Sequence, residues 1–165
     1  MTTEDIPLNS PSIHRAARLA ALVFVVHAAF VTVEVVMNSV VIDEVGHVPA
    51  GLSHWQTGTF SAYGVNPPLA RSIAALPVLA ARPIIKYDDL KPEPSSRSEF
   101  VIGEQFLRAN ANRVMMLFRL ARSTGLLWSM LGAWVIFRWA SQRDGPWAGL
   151  LGVAIWCFEP TVSAF

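Results

Sequence analysis

Residues 19–42 read LAALVFVVHAAFVTVEVVMNSVVI, and Asp43-Glu44-Val45-Gly46-His47 follows without a break. At about 1.5 Å per helical residue, these roughly 24 mostly apolar positions cross a hydrocarbon core of about 30 Å with some tilt, so a first membrane span is expected over 19–42. Two adjacent carboxylates then stand where that span should meet water. Acidic side chains there are costly without a partner or a task, which points to chemistry on something arriving from the membrane surface. His27, Glu34 and Asn38 interrupt the apolar run at spacings that put them on one helical stripe, facing other helices. For His27 a hydrogen-bonded seam in a helix bundle is expected, whereas Glu34 needs a cation or a proton. A cleaved signal peptide is the rival reading, with Arg15 and Arg18 as its charged region and a cut near Ala28 and Ala29. The apolar run continues well past Ala29, which favours retention.

Composition agrees with a bilayer protein. Of 165 residues, 53% are hydrophobic and 15% charged, and the mean hydropathy is +0.41. A net charge of +1, with scattered basic residues, excludes a nucleic-acid partner on electrostatic grounds. The single cysteine, Cys157, lies in an apolar run and can form neither an internal disulfide nor a thiolate zinc site. No internal repeat of 20 to 50 residues is visible.

A second span is predicted over 120–139, with Arg119 and Arg122 at one end and Arg138 at the other. Gln142-Arg143-Asp144-Gly145 makes a polar turn within 140–145, and Pro146 opens a third apolar run over 146–165. The expected fold class is all-α and integral to the membrane. It has three transmembrane helices and a long, partly helical extracytoplasmic loop over 43–119. Arg15, Arg18, Arg138 and Arg143 fall on one face, which makes that face and the tail 1–18 cytoplasmic. Within the loop, Val48–Trp55 is expected to form a short helix stopped near Gly58, and Asn66-Pro67-Pro68 a rigid turn. Leu69–Ala81, flanked by Arg71 and Arg82, is too short to span and reads as a helix in the interface plane. Residues 86–98 read as an exposed loop and 100–119 as helix.

Asp43, His47 and His54 fall at i, i+4 and i+11, near enough to share a helical face. A carboxylate and two imidazoles could hold zinc or manganese, so His47 and His54 are candidate ligands for a divalent metal ion. Gly46 and Pro49 argue against a regular helix there, the zinc-protease order H-E-x-x-H is absent, and a hydrogen-bonded interfacial cluster is the alternative. Asp43 or Glu44 as general base is the sharper reading, because a carboxylate can take a proton from an acceptor while the bond to a leaving phosphate breaks. The alternative is that both simply end the span and face water.

The order D-E-x-x-H, Gly51, Trp55-x-x-Gly58-x-Phe60, Asn66-Pro67-Pro68-Leu69 and Ala74-Ala75-Leu76-Pro77 resembles the first outer loop of GT-C class membrane glycosyltransferases. The nearest patterns are the protein O-mannosyltransferases and the lipid A aminoarabinose transferases. Ala121-Arg122-Ser123, Arg138, Gly145, Gly149-Leu150-Leu151 and Pro160 are similar to that family's second and third spans. The resemblance implies transfer of a sugar from a polyprenyl-phosphate donor to a lipid, protein or glycan acceptor outside the cytoplasm, at a bacterial inner membrane. It implies Asp43 and Glu44 as the acidic pair, with Asp43 the base. Arg122, or Arg119 one turn away, would stabilise the phosphate; the alternative for either is a snorkelling arginine or a partner to Glu34. Family members carry more spans and a further acidic loop, so the chain reads as an amino-terminal fragment whose site needs missing C-terminal helices or a second chain. Two other classes stand beside this reading: a small non-enzymatic protein docking membrane lipid or a larger membrane partner, and a zinc-dependent membrane hydrolase built on Asp43, His47 and His54.

Overall fold

In a computed structural model that describes residues 11–87 and 97–159, every regular element among the described residues is helical. Helix α1 covers Pro11–Met37, α2 Ile42–Thr57, α3 Leu69–Ala80, α4 Ser98–Ala109, α5 Val114–Asp144 and α6 Pro146–Phe158, with a 3₁₀ turn at Ala111–Arg113 ahead of α5. Ser12–Met37 and Ala111–Asp144 are long and apolar enough to cross a membrane, which is compatible with a membrane protein. Only 22% and 11% of their most apolar windows is buried, so neither is the shielded central helix of a soluble core.

The chain divides into two compact units, residues 35–125 and the pairing of 1–34 with 126–165. In the second of these, Ala20, Ala133, Val153 and Cys157 form the core, with Val23, Phe24, Phe137, Leu150 and Trp156 packed around it. A polar clamp crosses this apolar interior. His27 Nδ1 lies 2.9 Å from the Cys157 carbonyl oxygen and Nε2 lies 2.7 Å from Ser129 Oγ. A carbonyl only accepts, so Nδ1 carries the proton and Nε2 accepts from the serine hydroxyl. His27 is 1% exposed and is a satisfied interhelical seam residue.

In the unit 35–125, α2 packs against both α3 and α4. Val45, Val48 and Leu52 of α2 meet Ala75 and Val78 of α3, Phe106 of α4 and Leu117, Phe118 and Ala121 of α5 in one apolar cluster. Pro49 cannot offer an N–H to the Val45 carbonyl. Gly103 of α4 lies against that same carbonyl, so closely that a Cβ there would sit 2.3 Å from its oxygen. Helix α2 thus runs regularly through Gly46 and Pro49 and stops at Gly58, which takes the left-handed conformation at φ 70°.

The helix bounds differ from the sequence expectation at several places; the helix expected over 100–119, for one, breaks at Asn110 into α4, the 3₁₀ turn and the start of α5. Helix α1 ends at Met37 rather than Ile42, because the chain turns at Asn38-Ser39; apolar Val40, Val41 and Ile42 belong to the turn and the start of α2. Helix α5 runs to Asp144, leaving Gly145, at φ 91°, to reverse the chain alone before Pro146. Described α6 has 13 residues, about 20 Å at 1.5 Å each and less than a bilayer core; residues 160–165 of the expected third run lie outside the described residues. Most of the expected loop at 86–98 also lies outside them.

Candidate functional site

Asp43 and Glu44 stand in the first turn of α2, where carboxylates favour the positive end of the helix dipole. Their environments separate them. Glu44 Oε2 accepts from the Val41 backbone N–H at 3.0 Å, closing the helix start. The same carboxylate receives a two-pronged contact from Arg122, with Nε to Oε1 at 2.5 Å and Nη2 to Oε2 at 2.6 Å. Asp43 is exposed, and no hydrogen bond from it occurs among the described residues.

Arg122 is committed more deeply than its partner. Its Nη1 donates to the carbonyls of Asn38 at 2.8 Å and Val35 at 3.4 Å, and its Nη2 also to that of Ser39 at 2.8 Å. With the two contacts to Glu44, all five guanidinium N–H groups are engaged. Arg119 Nη2 donates to the Val36 carbonyl at 2.8 Å. The carbonyls at the end of α1, which have no helical successor to bond to, are therefore capped by arginines from α5. This capping is why α1 can stop where hydropathy alone continues it.

The two histidines of α2 have separate partners. His47 packs edge-on against Tyr63, with ring centroids 4.8 Å apart. His54 lies against Phe60 at 4.6 Å, and its Nδ1 is 2.7 Å from Ser72 Oγ. Burial, then the charge of Arg71, lowers the pKa of both rings; for His47, Asp43 and Glu99 pull the other way. Among the described residues no three of His, Cys, Asp and Glu gather in an arrangement that could hold a metal ion, so Asp43, His47 and His54 are not brought together as a ligand set.

Arg71 and Glu99 form a charged cluster near His47 that sequence reading did not bring together. Arg71 is 4% exposed and Glu99 2% exposed. The Arg71 guanidinium lies 4.3 Å from the Tyr63 ring centre, and its Nη2 donates to the Asn66 carbonyl. Glu99 is paired with Arg97, whose own side chain is 59% exposed. Arg71 was expected to flank an interfacial helix, yet Arg71, Ala75 and Val78 are the buried residues of α3. Their i, i+4, i+7 spacing is the inward stripe, and that spacing was the available signal.

Beside the head of α2 opens a cleft of about 390 Å³ lined by Ile42, Val45, Phe100 and Leu107, with Glu104 as its polar member. Comparison with known protein families, with curated proteins and with solved structures returned no match. The arrangement itself offers one exposed carboxylate at a helix start, an apolar cleft next to it, and a neighbouring carboxylate immobilised by an arginine.

Proposed function

We propose that this chain is part of a membrane glycosyltransferase that moves a sugar from a polyprenyl-phosphate donor to an acceptor at the extracytoplasmic face. The observation that carries this reading is the contrast within the acidic pair: Glu44 is locked by Arg122, while Asp43 stands exposed at the start of α2. Asp43 is the base. It takes the proton from the acceptor's hydroxyl or amine as the acceptor atom bonds to the anomeric carbon. The bond from that carbon to the phosphate oxygen breaks, and its electron pair leaves on the polyprenyl phosphate. Arg122 positions α2 through Glu44, and of the two arginines near the start of the second span Arg119, with one contact to the Val36 carbonyl, is the one that meets the phosphate. The apolar cleft beside Ile42 and Val45 suits a hydrocarbon chain. In this reading the chain spans a bacterial inner membrane three times with its N-terminus cytoplasmic.

The test is sugar transfer by the intact protein carrying Asp43→Asn, at unchanged membrane expression. A loss of about 10²-fold or more is expected from removing a general base. Normal activity in that variant would remove Asp43 from the reaction.

A second reading, docking of membrane lipid without chemistry, is favoured by α3, which leaves Leu69 69% and Leu76 43% exposed. Lipid binding that persists in a chain inactive in every transfer assay would support it.

A further inference from the structure

Buried inside the α2–α3 pair are polar atoms with no hydrogen-bond partner among the described residues: Arg71 Nε, Arg71 Nη1 and His54 Nε2. Both side chains are more than nine-tenths buried, at 4% and 8% exposure. Orphaned polar groups of this kind are rare and each costs free energy, most of all on a charged guanidinium. Glu99 is spoken for by Arg97, and the Tyr63 ring face and the Asn66 carbonyl occupy only part of Arg71.

The hydrogen bonds fix what each orphan offers. Ser72 Oγ donates to the Pro68 carbonyl at 2.8 Å, so it can only accept from His54 Nδ1, 2.7 Å away. The His54 proton therefore sits on Nδ1, and Nε2 presents a bare lone pair. Arg71 presents N–H donors. Ser72 follows Arg71 in sequence, so the same contact holds His54 against the first turn of α3. That turn has no acidic residue and no side-chain cap, and it carries a positive arginine at the positive end of a helix. Arg71 and the first turn of α3 lack an acceptor, and His54 Nε2 lacks a donor.

We propose that Arg71 and His54 form a binding site for a phosphate group that still carries one proton, its oxygens accepting from Arg71 and its P–OH donating to His54 Nε2. A singly protonated phosphate satisfies both partners. A carboxylate or sulfate has only lone pairs to set against the imidazole lone pair, and is disfavoured. The connection between α2 and α3 lays Phe60 on His54 and the Asn66 carbonyl on Arg71. The site goes beyond the transferase reading and needs neither Asp43 nor any transfer step. The phosphate could come from a soluble ion or from a lipid monophosphate headgroup.

The test uses the whole chain in detergent micelles, titrated with inorganic phosphate, with sulfate and with farnesyl monophosphate, and read by ³¹P NMR and calorimetry. Phosphate is expected to bind at least tenfold more tightly than sulfate, with Arg71→Gln weakening it tenfold or more. His54→Phe should narrow the phosphate preference over sulfate. Binding of inorganic phosphate and farnesyl monophosphate alike supports the site with the phosphate group sufficient; binding of the farnesyl compound alone supports it with a lipid headgroup as source. Binding of neither to the wild-type chain overturns it, and that comparison requires no variant to fold. Equal affinity for phosphate and sulfate overturns the pairing of His54 with Arg71. Unchanged phosphate binding in Arg71→Gln or Arg71→Lys, with helix content preserved, overturns it as well.

Discussion

Arg122 shows how one side chain can decide where a helix stops. Its side chain is 7% exposed, against 22% for Glu44. Removing it strands a partly buried carboxylate and the carbonyls of Val35, Asn38 and Ser39 together. Arg122→Met should therefore destabilise the unit 35–125 by about 2–4 kcal/mol, a range set by the cost of leaving one member of a buried pair behind. Arg122→Lys should recover only part of this loss, because an ammonium cannot match both carboxylate oxygens and the carbonyls at once. Chemical unfolding in micelles, followed by circular dichroism, measures both. If Arg122→Met unfolds at the wild-type midpoint, the guanidinium is not what secures the turn. The pairing with Glu44 was not visible in the sequence, where Arg122 read as a phosphate ligand, a snorkelling residue or a partner to Glu34. Spacing along a chain says nothing about a partner 78 positions away.

At the level of helices, much more was legible. The stop at Gly58, the short helix beginning at Leu69 and the start at Pro146 all follow from backbone chemistry that glycine and proline announce locally. The break after Met37 was not legible, because a hydropathy pattern registers Val40, Val41 and Ile42 as continuation and cannot register a turn capped from another helix. Helix α2 was also misjudged in its regularity. Pro49 looks like a breaker, but the carbonyl that it leaves without its helical N–H partner is where Gly103 of α4 lies against α2. Gly103→Ala should push α4 away from α2 and cost about 1–3 kcal/mol, the usual range for overpacking. The same unfolding assay reads this. A neutral result would mean that the α2–α4 contact yields without loss.

Across the whole molecule, the response to acid should come first from His47 and His54. Both have folded-state pKa values below the ordinary 6.5. As pH falls, the unfolded chain takes up protons before the folded one, so stability is fully present above pH 6.5 and is lost as pH drops through the folded values. Arg71 opposes protonation of both rings, while Asp43 and Glu99 ease that of His47. The unfolding midpoint should be flat above about pH 7 and decline below about pH 6. A double substitution, His47→Gln with His54→Gln, should flatten that decline; a slope that survives it would assign the acid sensitivity elsewhere. The clasp between Glu44 and Arg122 has one more consequence, for biosynthesis. A ribosome adding residues in order makes the acidic partner long before the basic one, so the start of α2 must wait, unclasped, until the base of α5 has emerged. Nascent chains halted before residue 122 should therefore leave that turn open to protease, and chains released beyond α5 should close it.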